Sequence, residues 1–360
     1  MLSKLHKAIF LQFSGILGAG IFVLPYLYHH TDPLLAYSLL FLLVLVVALA
    51  NFFYIDVILA TKGDHQLSGY AQIHLGIKFK NLATANILLL GIGVLSAYIK
   101  IASGFINLLF PATSAYSAFL FLLILLLLHL ARLKPTQSLS QIFPALSLFI
   151  VIVLYILSFK FPPALHVHNE LSPLIFGSTI FALSGFTILP EIEEILRGET
   201  FIKLKLRQAS LTGLLLVILV YLLFIFAVGR ISGDAISPDS ITGIFQSSTG
   251  IGRLLAFFGI ITLLKASLNF LYILKETFFR DLQVRESTSY FLSSLIPFFV
   301  LLFAGTSFVA IISLTGSLTV FISVLIISLI RLKLKTSTFT RASIFIVLAL
   351  LFAGLISELF

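Results

Sequence analysis

The chain has 360 residues, 59% of them hydrophobic and only 10% charged, with a mean hydropathy of +1.15; a soluble domain carries about 25% charged residues, so the solvent for most of this surface is lipid. It has no cysteine, which excludes disulfides, thiolate chemistry and Cys-based metal sites, and no tryptophan, which leaves its 11 Tyr and 37 Phe as interfacial anchors. The net charge of +9 fits either nucleic-acid binding or membrane topology, and only the placement of the charges along the chain separates the two.

Residues 1–7 are short and basic, and the apolar run that follows continues through Gly and Pro to Tyr28 without a small-x-small cleavage site. It reads as a permanent span rather than a removed signal peptide. A span needs roughly 20 apolar residues. On that measure the chain holds about eleven: 8–28, 34–60, 82–110, 114–131, 138–159, 172–196, 209–230, 251–276, 288–304, 306–330 and 342–359, with Gly305 dividing the ninth from the tenth. Between the second and third, residues 64–81 set Leu67, Tyr70, Ile73, Leu75 and Ile77 among polar residues, the pattern of an amphipathic helix lying on the membrane surface. Residues 232–250 carry Gly, Pro and Ser breaks and read as an outside loop.

With the N-terminus inside, 18 of the 23 Lys and Arg fall in cytoplasmic segments, Lys160, Arg230 and Arg253 fall outside, and Lys100 and Lys265 fall within spans. A missed span in mid-chain would destroy so lopsided a split. It supports both the count and the orientation: N-terminus cytoplasmic and C-terminus outside, in the plasma (inner) membrane. The basic residues are scattered over six cytoplasmic segments, so the net charge needs no nucleic-acid partner.

The first span contains Gly15, Gly18 and Gly20, which weaken the helix at mid-membrane by roughly 1 kcal/mol each relative to Ala. Broken backbone at that depth is tolerated where it lines a cavity or is buried in protein. The sixth span repeats the device. Gly20-Ile-Phe-Val-Leu-Pro25 and Gly185-Phe-Thr-Ile-Leu-Pro190 share a Gly-to-Leu-Pro spacing, 165 residues apart. Gly and Pro are common in membrane helices, so neither segment carries the reading alone; the matched spacing in corresponding spans does. Five spans separate the two starts, so the copies enter from opposite sides, the signature of an inverted repeat with a site between two broken helices. The division is then 1–159 and 172–330 for the repeats and 342–360 for a peripheral eleventh span. Unwinding is expected to free N–H groups at the start of each outer half-helix, favouring a carboxylate, while carbonyls hold a cation or an ammonium. A site of both polarities suits a zwitterion and points to an amino acid.

Gly18-Ala19-Gly20-Ile21-Phe22 followed by Leu24-Pro25-Tyr26 resembles the first helix of the amino acid–polyamine–organocation superfamily. Gly-Ala-Gly-Ile-x-x-Leu-Pro-Tyr is especially similar to its amino acid/auxin permease branch, and residues 181–191 resemble that branch's sixth helix. The topology resemblance covers ten spans, and the specific motifs cover two. It implies an all-α polytopic membrane protein with a LeuT-like 5+5 inverted-repeat bundle plus one extra helix. The implied activity is secondary amino acid transport. The substrate carboxylate would then meet backbone near Gly18, Ala19 and Gly20, flanked by Gly15 and Ile21. The ammonium and side chain would lie near Phe181, Ser184, Gly185 and Phe186.

Lys265 sits midway along the eighth span, where a charge costs at least ~2.5–3.5 kcal/mol and requires a partner or a function. By the same resemblance, sodium-coupled relatives use oxygens of the eighth helix to hold an ion beside the first. An ammonium at Lys265 would take that place and imply proton coupling or ion-independent transport. The usual Ser/Thr pair is not evident, although Ser267 is close. Snorkelling or a structural ion pair is the simpler reading of Lys265, and of Lys100, whose functional alternative is an outer vestibule. Glu191 follows Pro190 and has three readings: titration with transport, pairing with Lys265, or an inner-gate salt bridge. Asp56 and His129 read as interfacial groups.

These features favour a permease working by alternating access, with an amino acid substrate, H+ as the candidate coupling ion and no cofactor. The expected assembly is a monomer or weak homo-oligomer. The alternative is an amino-acid-sensing receptor subunit of the spore-germinant type, which shares this fold. An intramembrane enzyme needs a nucleophile–base pair or metal cluster that the sequence does not show. A divalent-metal transporter would want an acidic, Asn-containing break in the first span, and residues 15–20 have neither.

Overall fold

The computed structural model describes residues 3–131, 139–162, 172–304, 307–334 and 337–359. Among them the regular structure is helical throughout. The first half contains α1 (Lys4–Ile16), α2 (Gly20–His29), α3 (Pro33–Ala60), α4 (Leu67–Leu75), α5 (Ile77–Leu109), α6 (Ser117–Leu130) and α7 (Leu139–Ser158). The second contains α8 (Ile175–Leu183), α9 (Leu189–Leu196), α10 (Ile202–Ser232), α11 (Ile241–Ser247), α12 (Thr249–Glu276), α13 (Glu286–Ala304), α14 (Phe308–Lys333) and α15 (Thr338–Leu359).

Helices stand at every expected span position, with α1 and α2 sharing the first and α8 and α9 the sixth. By length and composition, seven segments are long and apolar enough to cross a bilayer, and the bent α1–α2 pair brings the number to eight. Helices α6, α7 and α13 contribute shorter apolar stretches. The expected division at Gly305 lies outside the described residues.

Local chemistry explains the boundaries. Asp32 accepts the Leu35 amide at 3.0 Å with Pro33 next to it, so α3 starts on a side-chain cap and a proline that loses no bond there. The surface helix expected over 64–81 divides at Gly76, whose φ of +94° a residue with a Cβ rarely adopts. Leu67, Tyr70, Ile73 and Leu75 therefore belong to α4, while Ile77 opens α5. The 232–250 segment is more ordered than a plain loop. It holds α11, and Ser240 donates to the Phe22 carbonyl of α2 at 2.6 Å.

The long helix α5 is the centre of the scaffold, with α12 and α14 both packed against it. Interhelical hydrogen bonds tie it together, as is usual where lipid removes any hydrophobic drive between helices. Asn86 of α5 donates to the Thr319 carbonyl at 3.0 Å and to Ser323 Oγ at 2.8 Å on α14. Asn51 of α3 donates to Ser210 of α10 at 3.1 Å.

Charges collect at the helix ends that the sequence places inside. Asp56 is the hub of a cluster, with Lys203 at 2.9 Å, Arg207 at 3.2 Å and Arg331 at 3.0 Å. Arg197, just past α9, meets both Glu193 and Asp64 at 2.5 Å. His129 is buried beside Tyr290, with ring centres 4.6 Å apart. Helix α15 packs on α14, α8 and α3, so the eleventh helix is joined to the bundle through α8 as well as its chain neighbour.

Candidate functional site

Both glycine-rich segments are broken where they pass each other. Helices α1 and α2 meet at 61° across Leu17, Gly18 and Ala19. Leu17 is extended, and α2 restarts with tight bonds from Ile21 to the Gly18 carbonyl at 3.4 Å and from Phe22 to Ala19 at 3.0 Å. The second break begins at Ser184, also extended, passes through Gly185 and takes one 3-10 turn over Phe186–Ile188 before α9.

The glycines permit the crossing. A Cβ on Gly20 would sit 2.6 Å from that of Ala182, and one on Gly185 would strike the Ile16 side chain. The two prolines of the matched pattern are not equivalent. Pro190 occupies the first turn of α9, where no donor is lost, whereas Pro25 lies inside α2.

Helix α2 packs against α8, and α1 against α9. One half of the molecule therefore brings the amino end of α2 to the break beside the carboxyl end of α8. The expectation that each outer half-helix starts at its break holds for α2 alone. Inversion makes α8 run into its break, so its contribution there is carbonyl oxygen and the second amino end belongs to α9. The crossing still offers both polarities within one space.

Three polar side chains hold it open. Tyr221 of α10 donates to the Ala182 carbonyl at 2.8 Å and approaches that of Ile16 at 3.5 Å, touching both broken pairs. Gln12, fully buried on α1, donates to the Gly185 carbonyl at 3.5 Å. The Tyr98 hydroxyl of α5 stands against the α1–α2 break, 3.0 Å from where a Cβ on Gly18 would lie. Position in the sequence gave these residues no motif. Their only signal was a polar group at membrane depth, which is costly unless it has work to do.

A cavity of about 250 Å³ lies at the crossing. Of the residues expected at the site, Gly15, Gly18, Gly20, Phe181, Ser184, Phe186, Glu191 and Lys265 line it. Ala19, Ile21 and Gly185 belong to the breaks but lie off the lining. Ser267 is fully buried away from it, and Lys100 is exposed on α5. Tyr98, Ser14, Thr187, Thr262 and Asn269 add polar groups to the wall. Thr262, Lys265, Asn269 and Ile273 follow one another at helical spacing, so one face of α12 forms a side of the cavity. The Lys265 ammonium donates to Ser14 Oγ at 2.6 Å, joining α12 to α1 just before the break.

The cavity extends into the α1–α9 half, along Leu11, Ser14 and Gly15 on one side and Ile188 and Glu191 on the other. The α2–α8 half is filled instead. Phe22 packs edge-on against Phe105 at 5.4 Å and Phe224 at 6.2 Å, and α11 with Ser240 covers that end of α2.

No family model and no curated protein matches the chain by sequence. Solved structures match it by shape over nearly its whole length. MhsT in complex with L-phenylalanine superposes with a TM-score of 0.65 at 14% identity, covering 98% of each chain. A manganese transporter of Eremococcus coleocola, solved with an aromatic bis-isothiourea compound, gives a TM-score of 0.65 at 12% identity, covering 99% of this chain and 86% of that one. The chain has the LeuT-like fold, an all-helical membrane bundle organised around two broken helices.

Proposed function

We propose that this chain is a secondary transporter that carries amino acids across the plasma membrane by alternating access. The observation that carries this reading is the cavity itself. It sits where two broken helices cross, its wall combines glycines and hydroxyl residues at the breaks with apolar and aromatic side chains, and it holds one ammonium, Lys265, and one carboxylate, Glu191. Backbone ends recognise the carboxylate and ammonium that all amino acids share, which makes Gly18 and Gly20 one contact surface and Phe181, Ser184 and Phe186 the other, with Ala19, Ile21 and Gly185 shaping the breaks behind them. The printed ligand of MhsT, L-phenylalanine, supports the same class of substrate.

With the N-terminus cytoplasmic, the α1–α9 half faces inward, so the arrangement described is the one open toward the cytoplasm. Lys265 bridges α12 and α1, and we assign it the place that a sodium ion takes in coupled relatives. Loss of its proton would weaken the tie to Ser14 and loosen α1, which makes H+ the coupling ion. Glu191, in the first turn of α9, is the acceptor closest in kind for that proton.

The manganese transporter among the structural relatives raises a second cargo, a divalent cation. Lys265 argues against it, because a fixed ammonium on the wall of a small, partly dehydrated cavity repels such an ion.

A thermal-shift screen of the purified protein against all amino acids tests the binding half of the proposal. At least one is expected to raise the melting midpoint, and Gly18→Leu, which would meet the Tyr98 hydroxyl, is expected to abolish the effect. A flat response to every amino acid would overturn it.

A further inference from the structure

Glu358 stands near the end of α15, the helix appended to the two five-helix halves, and its carboxylate turns into the bundle. One oxygen accepts the Gly177 amide at 2.5 Å, and the other accepts the Ser313 hydroxyl of α14. Gly177 is the third residue of α8, whose first-turn amides have no acceptor within their own helix. A carboxylate there both satisfies a donor and complements the positive end of the helix dipole. Ser313 also reaches the Leu174 carbonyl at 3.1 Å, just before α8 begins.

The packing around this contact leaves no slack. A Cβ on Gly316 of α14 would lie 2.5 Å from the Gly177 carbonyl and equally close to the Phe181 Cβ. A Cβ on Gly354 of α15 would strike the Phe176 ring, and one on Gly177 would strike Ser313. Small residues thus bring α8 and α14 into backbone-close contact, and Gly354 seats α15 on the Phe176 ring of α8. Helix α8 has nine residues, so its two ends lie only about 13 Å apart. Phe181 and Ser184, at or just past its far end, line the cavity.

We propose that Glu358 is a positioning residue. It fixes the amino end of α8 to α14, so that α8, α14 and α15 form one rigid body and the Phe181–Ser184 wall of the cavity is held from outside the ten-helix core. The peripheral helix thereby sets the geometry of the site. This concerns the wall alone and needs no ligand, so its failure would leave the transport reading untouched.

The chain has no cysteine, so Ser184→Cys provides a single thiol at the cavity wall. Its labelling rate with a small maleimide, measured well below the melting midpoint, reports where the end of α8 stands. Adding Glu358→Ala is expected to change that rate at least fivefold. Glu358→Gln keeps an oxygen for Gly177 and gains a donor for Ser313, and it is expected to stay within twofold of the parent. The proposal is overturned if Glu358→Ala leaves the rate within twofold, if Glu358→Gln behaves like Ala, or if the change only tracks global unfolding. Should Glu358→Ala not yield folded protein, Ser313→Ala is read instead. A change of twofold or more then supports the proposal, and no change overturns it.

Discussion

Gly20→Ala sets two physical effects against each other at the crossing. Gly20 is the first residue of α2, and replacing glycine by alanine in a helix gains up to about 1 kcal/mol of backbone propensity where space allows. Space does not allow it here. The added Cβ would lie 2.6 Å from the Ala182 Cβ and 2.8 Å from its Cα, and apolar carbons rest at about 3.5–4.0 Å. Ala182 cannot rotate away, because its carbonyl is held by Tyr221 at 2.8 Å. Overpacking of this kind costs about 1–3 kcal/mol, so it outweighs the propensity gain and the variant is destabilised by ~1–2 kcal/mol. Ala182→Gly removes the opposing carbon. The double variant Gly20→Ala, Ala182→Gly is then expected to recover part of the loss, since the 2.8 Å approach to the Cα remains, with a coupling energy above about 0.5 kcal/mol. Denaturation by SDS in mixed micelles, followed by circular dichroism, gives the four stabilities of the cycle. A neutral or stabilising Gly20→Ala, or additive behaviour in the double variant, would refute the claim that the two breaks touch at this pair.

Other predictions follow from the same contacts. Tyr221→Phe leaves the buried Ala182 carbonyl without its donor and is expected to cost about 1–3 kcal/mol in the same assay; a loss below 0.5 kcal/mol would show that the tyrosine is not a tie between the breaks. Lys265→Ala is expected to flatten the pH dependence of uptake without creating sodium dependence, and an unchanged pH profile would count against its coupling role. Arg197→Ala breaks two contacts of 2.5 Å, yet its side chain is about half exposed and screened by solvent, so little change in stability is expected and a large loss would mark a buried gate. The Lys205 ammonium at Glu199 holds that carboxyl below its ordinary range, so this tie contributes fully above the ordinary value and fades only as pH falls through the lowered one. Glu199→Gln is therefore expected to act alike from pH 6 to 8, and a change in its effect within that window would contradict the assignment.

The bundle was legible because lipid allows few solutions. Apolar runs near 20 residues located every expected span, though not the short α11 in the 232–250 segment. The breaks were legible for a different reason: glycine is the one residue that lets two backbones pass as closely as Gly20 and Ala182 do. The lining of the cavity was only half visible. Gly15, Gly18, Ser184 and Lys265 stand out as glycine, hydroxyl or charge within apolar runs. Gln12, Tyr98, Tyr221 and Asn269 lie on four different helices, and nothing in the one-dimensional pattern says that they converge. Lys100 and Lys265 show the same limit. Both are lysines within spans, yet one is exposed on α5 and the other lies against Ser14, because helix rotation is set by packing that the apolar runs do not encode. The reversal at α8 was deducible, since an inverted repeat must run one outer half-helix toward its break. The anchoring of α8 by Glu358 was not, for its partners lie 45 and 181 residues away in the chain.

The cavity at the crossing is proposed to carry amino acids through the membrane. Its most direct test is uptake of labelled amino acids into proteoliposomes under an imposed pH gradient, with Gly18→Leu as the control that fills the site. Saturable uptake or exchange of at least one amino acid is expected, driven by the gradient and lost in the control. Absence of uptake and exchange for every amino acid, with the protein folded and inserted, would contradict it.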